Sequence, residues 1–135
     1  MSPVSAVSVH GMAEVPASFV HYLTAWNERD PGLIRGHLDR AVSSNVVFAD
    51  PANHTVGPDE LEALIRSARH DLPEADYRRV SGVDGGHDGR YRYRWEVWID
   101  GELAVIGMDC TTVDEEGRIA RLDGFFGEFP PIEPG

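Results

Sequence analysis

The sequence predicts an α+β domain in which three N-terminal helices pack inside a strongly curved, mostly antiparallel sheet around an interior pocket. Three observations predict it. Apolar residues recur at helical spacing from Val15 to about residue 72. Beyond Pro73 the pattern changes to long alternating stretches of β-prone residues. Asp100-Gly101 then falls between two of those stretches as a hairpin turn. Helices followed by antiparallel strands give a sheet with its helices gathered on one face.

The elements follow in order. Phe19, Leu23 and Trp26 are spaced by four and three, with Tyr22 on the same stripe of the first helix. Asp30-Pro31 ends that helix and opens a second, because proline suits a first helical turn. The second carries Leu33, Ile34, His37 and Leu38. Val46, Val47 and Phe48 form a short β-prone stretch closed by Asp50-Pro51, since the residue before a proline is driven to extended backbone. Gly57-Pro58-Asp59-Glu60 opens a third helix with Leu61, Leu64, Ile65 and Ala68 on one face. Its early acids suit the positive end of the helix dipole. Strands are expected at about 76–83, 90–99, 103–113 and 118–127. One domain over 15–128 is expected, between an N-terminal tail (1–14) and an extended C-terminal tail (129–135).

Composition narrows the function. The chain has 135 residues, enough for one core, and a net charge of −11 from 23 acids and 12 bases, all of them arginine. Such a surface repels phosphate backbones and anionic headgroups, so neither nucleic acid nor membrane is an expected partner. The first fifteen residues lack a basic start and a continuous apolar stretch, and a cytoplasmic protein is expected. Cys110 is the single cysteine, which leaves no internal disulfide and no thiolate zinc site. No metal and no cofactor is expected.

Strand faces locate the anomalies. Tyr91, Tyr93, Trp95, Val97 and Ile99 alternate with Arg92, Arg94 and Glu96, a buried face and a wet one. The stretch Leu103–Val113 is apolar on both sides. Its even side, with Ala104, Ile106, Met108 and Cys110, needs cover, and a homodimer supplies it most simply. Its odd side sets Asp109 after Leu103, Val105 and Gly107, where an acid is costly unless paired or protonated. Asp50, between an apolar run and a proline, reads either as a turn residue or as a base. Tyr22 reads either as core or as a hydroxyl donor. Trp26 and Trp95 are core or an aromatic wall for a ligand, and Phe126 is a further candidate contact. His54, four residues after Asp50, is placed to orient it or to touch a ligand. As a metal ligand it has no second histidine suitably placed.

Together, Tyr22-Leu-Thr-Ala-Trp-Asn-Glu-Arg-Asp30, Phe48-Ala-Asp50-Pro51, Gly57, Met108-Asp109, Gly117-Arg118-Ile119 and Phe125-Phe126-Gly127-Glu128 carry a resemblance. Over residues 16–128 the chain resembles the SnoaL-like, ketosteroid-isomerase-like branch of the nuclear-transport-factor-2-like superfamily. The resemblance implies the cone-shaped fold of that superfamily. It also implies a cofactor-free isomerase that shifts a double bond beside a ketone of a small hydrophobic substrate through a dienolate. Asp50 would be the base and Tyr22 and Asp109 the donors to the oxyanion. A SnoaL-like polyketide cyclase and a non-catalytic domain that holds a hydrophobic ligand are the alternatives. The limonene type of epoxide hydrolysis is excluded, because Gly107 stands where that chemistry uses an arginine. About four extra residues, around Ala41 to Asn45, precede Asp50 relative to the family pattern.

Overall fold

In the computed structural model, which describes residues 14–134, the helical periodicity becomes α1 (Ala17–Asn27), α2 (Pro31–Ala41) and α3 (Pro58–Asp71). Local chemistry sets their limits. Asp30 caps α2 by accepting from the Gly32 N–H at 2.9 Å, and Pro31 follows in the first turn. Glu60, in the first turn of α3, accepts from the Val56 N–H at 2.9 Å and so ties the helix to the strand before it. No helix among the described residues is long and apolar enough to cross a membrane. Nearly all of the expected N-terminal tail lies outside the described residues.

The strands are β1 (Val42–Ala49), β2 (His54–Val56), β3 (Ala75–Arg79), β4 (Asp84–Gly85), β5 (Arg90–Ile99), β6 (Glu102–Val113) and β7 (Ile119–Phe126). They form one curved, open, mixed sheet in the order β2-β1-β7-β6-β5-β3, with β4 also pairing β5. Among the described residues, only the β1–β7 pairing is parallel. The concave face meets the helices, and the core between them contains Phe19, Ile34, Leu38, Leu61, Ile65 and Leu122. Asn27 joins the end of α1 to β3 through two hydrogen bonds of 2.8 Å with the Tyr77 backbone.

Three expectations change. The strand expected at 76–83 ends at Arg79, and a separate two-residue strand follows only at Asp84–Gly85; between them the Ser81 hydroxyl, not a main-chain carbonyl, accepts from the Arg94 N–H at 2.8 Å. Val83 then turns into the core. The first strand is eight residues rather than three, and the surplus before Asp50 lies in it. Val42 pairs Ile119 while Val47 pairs Arg121, so five steps along β1 match two along β7. That irregularity absorbs the extra residues without moving the end of the strand. Finally, Leu103 does not share the inner face with Val105. A register shift beside Val97 and Trp98 pairs Val97 with Val105 but Trp98 with Leu103, and Leu103 is half exposed.

Candidate active site

A cavity of about 370 Å³ opens between α1, α3 and the concave face of β5–β7. Its wall is mainly apolar, with Tyr22, Asp50, Tyr93 and Asp109 among its polar members. That combination of an apolar wall and a few converging polar groups is the usual form of a small-molecule site.

Asp109 lies on the inner side of β6, opposite Tyr93 on β5 and Gly124 on β7. The Tyr93 hydroxyl donates to Asp109 Oδ2 at 3.1 Å, and the Trp95 indole N–H donates to Oδ1 at 2.8 Å. The indole reaches because its cross-strand partner is Gly107. A Cβ at Gly107 would overlap the Trp95 ring and the Phe125 carbonyl. Burial pushes the Asp109 carboxyl up to about 7; the hydrogen bonds from Trp95 and Tyr93 oppose the rise, and the Asp50 charge adds to it.

Asp50 follows β1 at the edge of the cavity. Its Oδ1 accepts from the backbone N–H groups of Ala52 at 2.9 Å and Asn53 at 2.8 Å, and from the Asn53 amide at 3.2 Å. Oδ2 has, among the described residues, only the Asn53 amide, at 3.5 Å. One oxygen thus holds the turn while the other stays lightly engaged, so the turn role and a chemical role are compatible in one side chain. Gly124 lets the two acidic side chains approach each other. A Cβ there would lie 3.1 Å from Asp109 Oδ1 and 3.4 Å from Asp50 Cβ, so both acids border the space of one missing methyl group.

Tyr22 reaches the cavity from α1. Burial foremost, and then the Asp109 charge, hold its hydroxyl far above the ordinary phenol value. A hydrogen bond from Trp26 offsets part of this, and Asp50 adds to the rise. The phenol therefore stays a donor. Trp26 lines the cavity with its ring against Tyr77, centroids 5.1 Å apart. Trp95 and Phe126 line it edge to face at 5.8 Å.

Six of the seven residues singled out from sequence thus border one cavity: Tyr22, Trp26, Asp50, Trp95, Asp109 and Phe126. His54 does not. Strand alternation turns Thr55 inward and leaves His54 exposed, and Asn53 takes the place beside Asp50. Trp95 gains a role that sequence reasoning did not assign, as a donor to Asp109. Tyr93 was legible only as an inward residue; its contact with Asp109 depends on register. Gly124 carried no signal beyond its residue type, and neither the close approach of Trp95 to Gly107 nor the hydrogen bonds of Asn53 to Asp50 could be read from sequence. Among the described residues no cluster of His, Cys, Asp or Glu has the geometry of a metal site.

Residues 19–122 match the family model of the SnoaL-like domain. Similar solved structures include a protein of Agrobacterium tumefaciens described as a candidate isomerase of the SnoaL-like family. It is 29% identical with a TM-score of 0.77, over 83% of this chain and 96% of that one. An NTF2-like protein of unknown function from an Exiguobacterium species is 16% identical with a TM-score of 0.69, over 83% and 99%. A protein of Sinorhizobium meliloti described as a candidate polyketide cyclase is 21% identical with a TM-score of 0.59, over 82% and 94%. No curated protein matches the chain.

Proposed function

Because the chain belongs to the SnoaL-like family, we propose that it is an acid–base enzyme that forms an enolate from a small hydrophobic carbonyl compound, an isomerase working without a cofactor. Asp50 is the base, removing a proton from the carbon beside the carbonyl and returning it to the carbon skeleton nearby. Tyr22 and Asp109 stabilise the negative oxygen that develops meanwhile, as donors already in place. One observation supports the reading: two acidic side chains of unlike surroundings, Asp109 through its carboxyl and Asp50 through its Cβ, border the same missing methyl group of Gly124, in a cavity that a phenol held in its neutral form also lines. A carboxyl raised to about 7 remains half protonated at neutrality and can donate. The lightly engaged Oδ2 of Asp50 can accept a proton.

The cavity lies toward the lower end of the roughly 300–1,000 Å³ usual for such sites, which favours a compact substrate. An intramolecular aldol closure would use the same base and the same donors. Isomerisation is preferred because the Agrobacterium protein, at 29% identity, is the one described as an isomerase, whereas the Sinorhizobium protein shares the fold alone.

Exchange of α-protons for solvent deuterium, followed by NMR over a panel of small cyclic ketones and enones, tests the reading before the substrate is identified. The parent should catalyse exchange on at least one compound. Asp50→Asn should slow it by about 10² to 10⁴ while the fold is kept. Equal exchange by both proteins would remove Asp50 as the base, and no exchange by the parent on any member would favour a binding domain.

A further inference from the structure

We propose that Tyr93 is the hydroxyl through which Asp109 acts on the ligand's oxygen, with Trp95 fixing which Asp109 oxygen takes part. The inference rests on the enolate reading above and refines it: Asp109 becomes a positioning residue and Tyr93 the direct donor beside Tyr22. An indole N–H can only donate. Trp95 donates to Asp109 Oδ1 at 2.8 Å, so Oδ1 is an acceptor whatever the charge of the carboxyl. A proton on Asp109 therefore sits on Oδ2, whose partner is the Tyr93 hydroxyl at 3.1 Å.

Two states follow. With Oδ2 protonated, Asp109 donates to the Tyr93 oxygen, and the phenolic hydrogen has no other partner among the described residues. Tyr93 lines the cavity, so that hydrogen turns toward a ligand. With Asp109 ionised, the Tyr93 hydrogen returns to Oδ2 and only oxygen lone pairs face the cavity. No covalent bond changes; the hydroxyl rotates. Tyr93 does not itself ionise, since burial and then the Asp109 charge hold its proton well above the ordinary phenol range. The groups facing this pair are Tyr22 from α1, Asp50 from the end of β1 and Trp95 from β5, with Arg79 on β3 acting on Tyr93. On β7 the residue opposite Asp109 is Gly124, which has no side chain. Asp109, at about 7, is the group that sets the switch near neutrality.

Binding of pentafluorophenolate, against hexafluorobenzene as its neutral match, is to be measured by calorimetry at about pH 6.5 and about pH 8.5, either side of the Asp109 titration. The parent should bind the phenolate about tenfold more tightly at the lower pH, as expected for gain of a hydrogen bond to a charged group. Tyr93→Phe should lose that advantage at the lower pH and with it the pH dependence. Asp109→Asn is the sharper variant. Trp95 holds the amide oxygen, the NH₂ group permanently occupies the Tyr93 oxygen, and the variant should bind at the higher pH as the parent does at the lower. Should Tyr93→Phe fail to fold, the parent labelled at tyrosine Cζ decides: the Tyr93 resonance must move with the Asp109 carboxyl titration. An unmoved resonance overturns the proposal. So does a Tyr93→Phe variant that keeps the parent's affinity and pH profile, which would put Asp109 in direct contact with the ligand and leave the enolate reading standing. If the parent binds phenolate no better than hexafluorobenzene at either pH, the proposal fails together with the oxyanion part of that reading. Deuterium exchange reports on its base separately.

Discussion

At the scale of single residues, the buried Asp109 carboxyl couples folding to pH. Burial of Asp109 raises its pKa from 3.8 to about 7 in the folded protein. A raised folded value means that folding is most favourable where the carboxyl is protonated in both states, below about pH 4. That advantage is lost progressively between about pH 4, where the unfolded carboxyl ionises, and about pH 7, where the folded one does, because burial penalises the charged form that the unfolded chain solvates freely. The cost approaches about 4 kcal/mol at alkaline pH, as an upper bound. Asp109→Asn removes the titration and keeps the shape. The variant should therefore melt well above the parent at about pH 8 and close to it at about pH 4. Thermal melts across that range check it; a constant difference would mean that the Asp109 charge is not what the fold resists. The Arg35 cluster with Asp39, Asp59 and Glu62 is a different case, since these are largely solvent-facing contacts that join α2 to α3. Arg35→Ala should cost less than about 1 kcal/mol in the same melts.

At the scale of elements, what was legible divides by the distance over which it is specified. The three helices follow from spacings of three and four, and the β5–β6 turn from Asp100-Gly101, whose φ values of 53° and 80° fit a two-residue hairpin. Which residues then meet across the hairpin is not local. Counting back from the Ile99–Glu102 pair would set Tyr93 opposite Met108. The shift beside Trp98 moves the register by one, so that Tyr93 faces Asp109 instead. One bulge thus decides whether the acid shares a face with its tyrosine, and single-strand alternation does not reveal it. The reach of Trp95 depends likewise on Gly107 in the neighbouring strand, since only a residue without Cβ leaves room for the ring. Gly107→Ala should expel the indole, break its hydrogen bond to Asp109 and destabilise by about 1–3 kcal/mol. Gly36→Ala, in α2 with nothing within 4 Å of the added methyl, should instead stabilise by about 0.4–1 kcal/mol. Opposite signs in the two melting temperatures are the expected result. A Gly107→Ala protein with the parent's stability and indole fluorescence would show that the close approach is relaxed in solution.

At the scale of the molecule, the outer face of the sheet is unlike the rest of this acidic surface. Met108 pairs Phe125 across β6 and β7, and Phe125 is 54% exposed; Ile106 is only half buried, and Ala104 is exposed. The same side of the neighbouring strands carries Arg92, Arg94 and Arg121, three of the chain's 12 arginines, with Glu96 and Asp123 among them. Two copies of a chain with net charge −11 repel each other at long range, but the arginines beside this apolar stripe balance Asp84, Glu96 and Asp123, so the repulsion is weakest here. A homodimer built face to face on this stripe is therefore expected, burying on the order of 800 Å² from each partner. Sedimentation at micromolar concentration should give twice 14.9 kDa. Raising the salt should tighten association, because it screens the overall repulsion while leaving the apolar contact intact. Met108→Glu places a like charge at the centre of both faces and should yield monomers, with α-proton exchange altered only if assembly shapes the cavity. A monomeric parent, or a Met108→Glu protein that still dimerises, would move the contact away from this face.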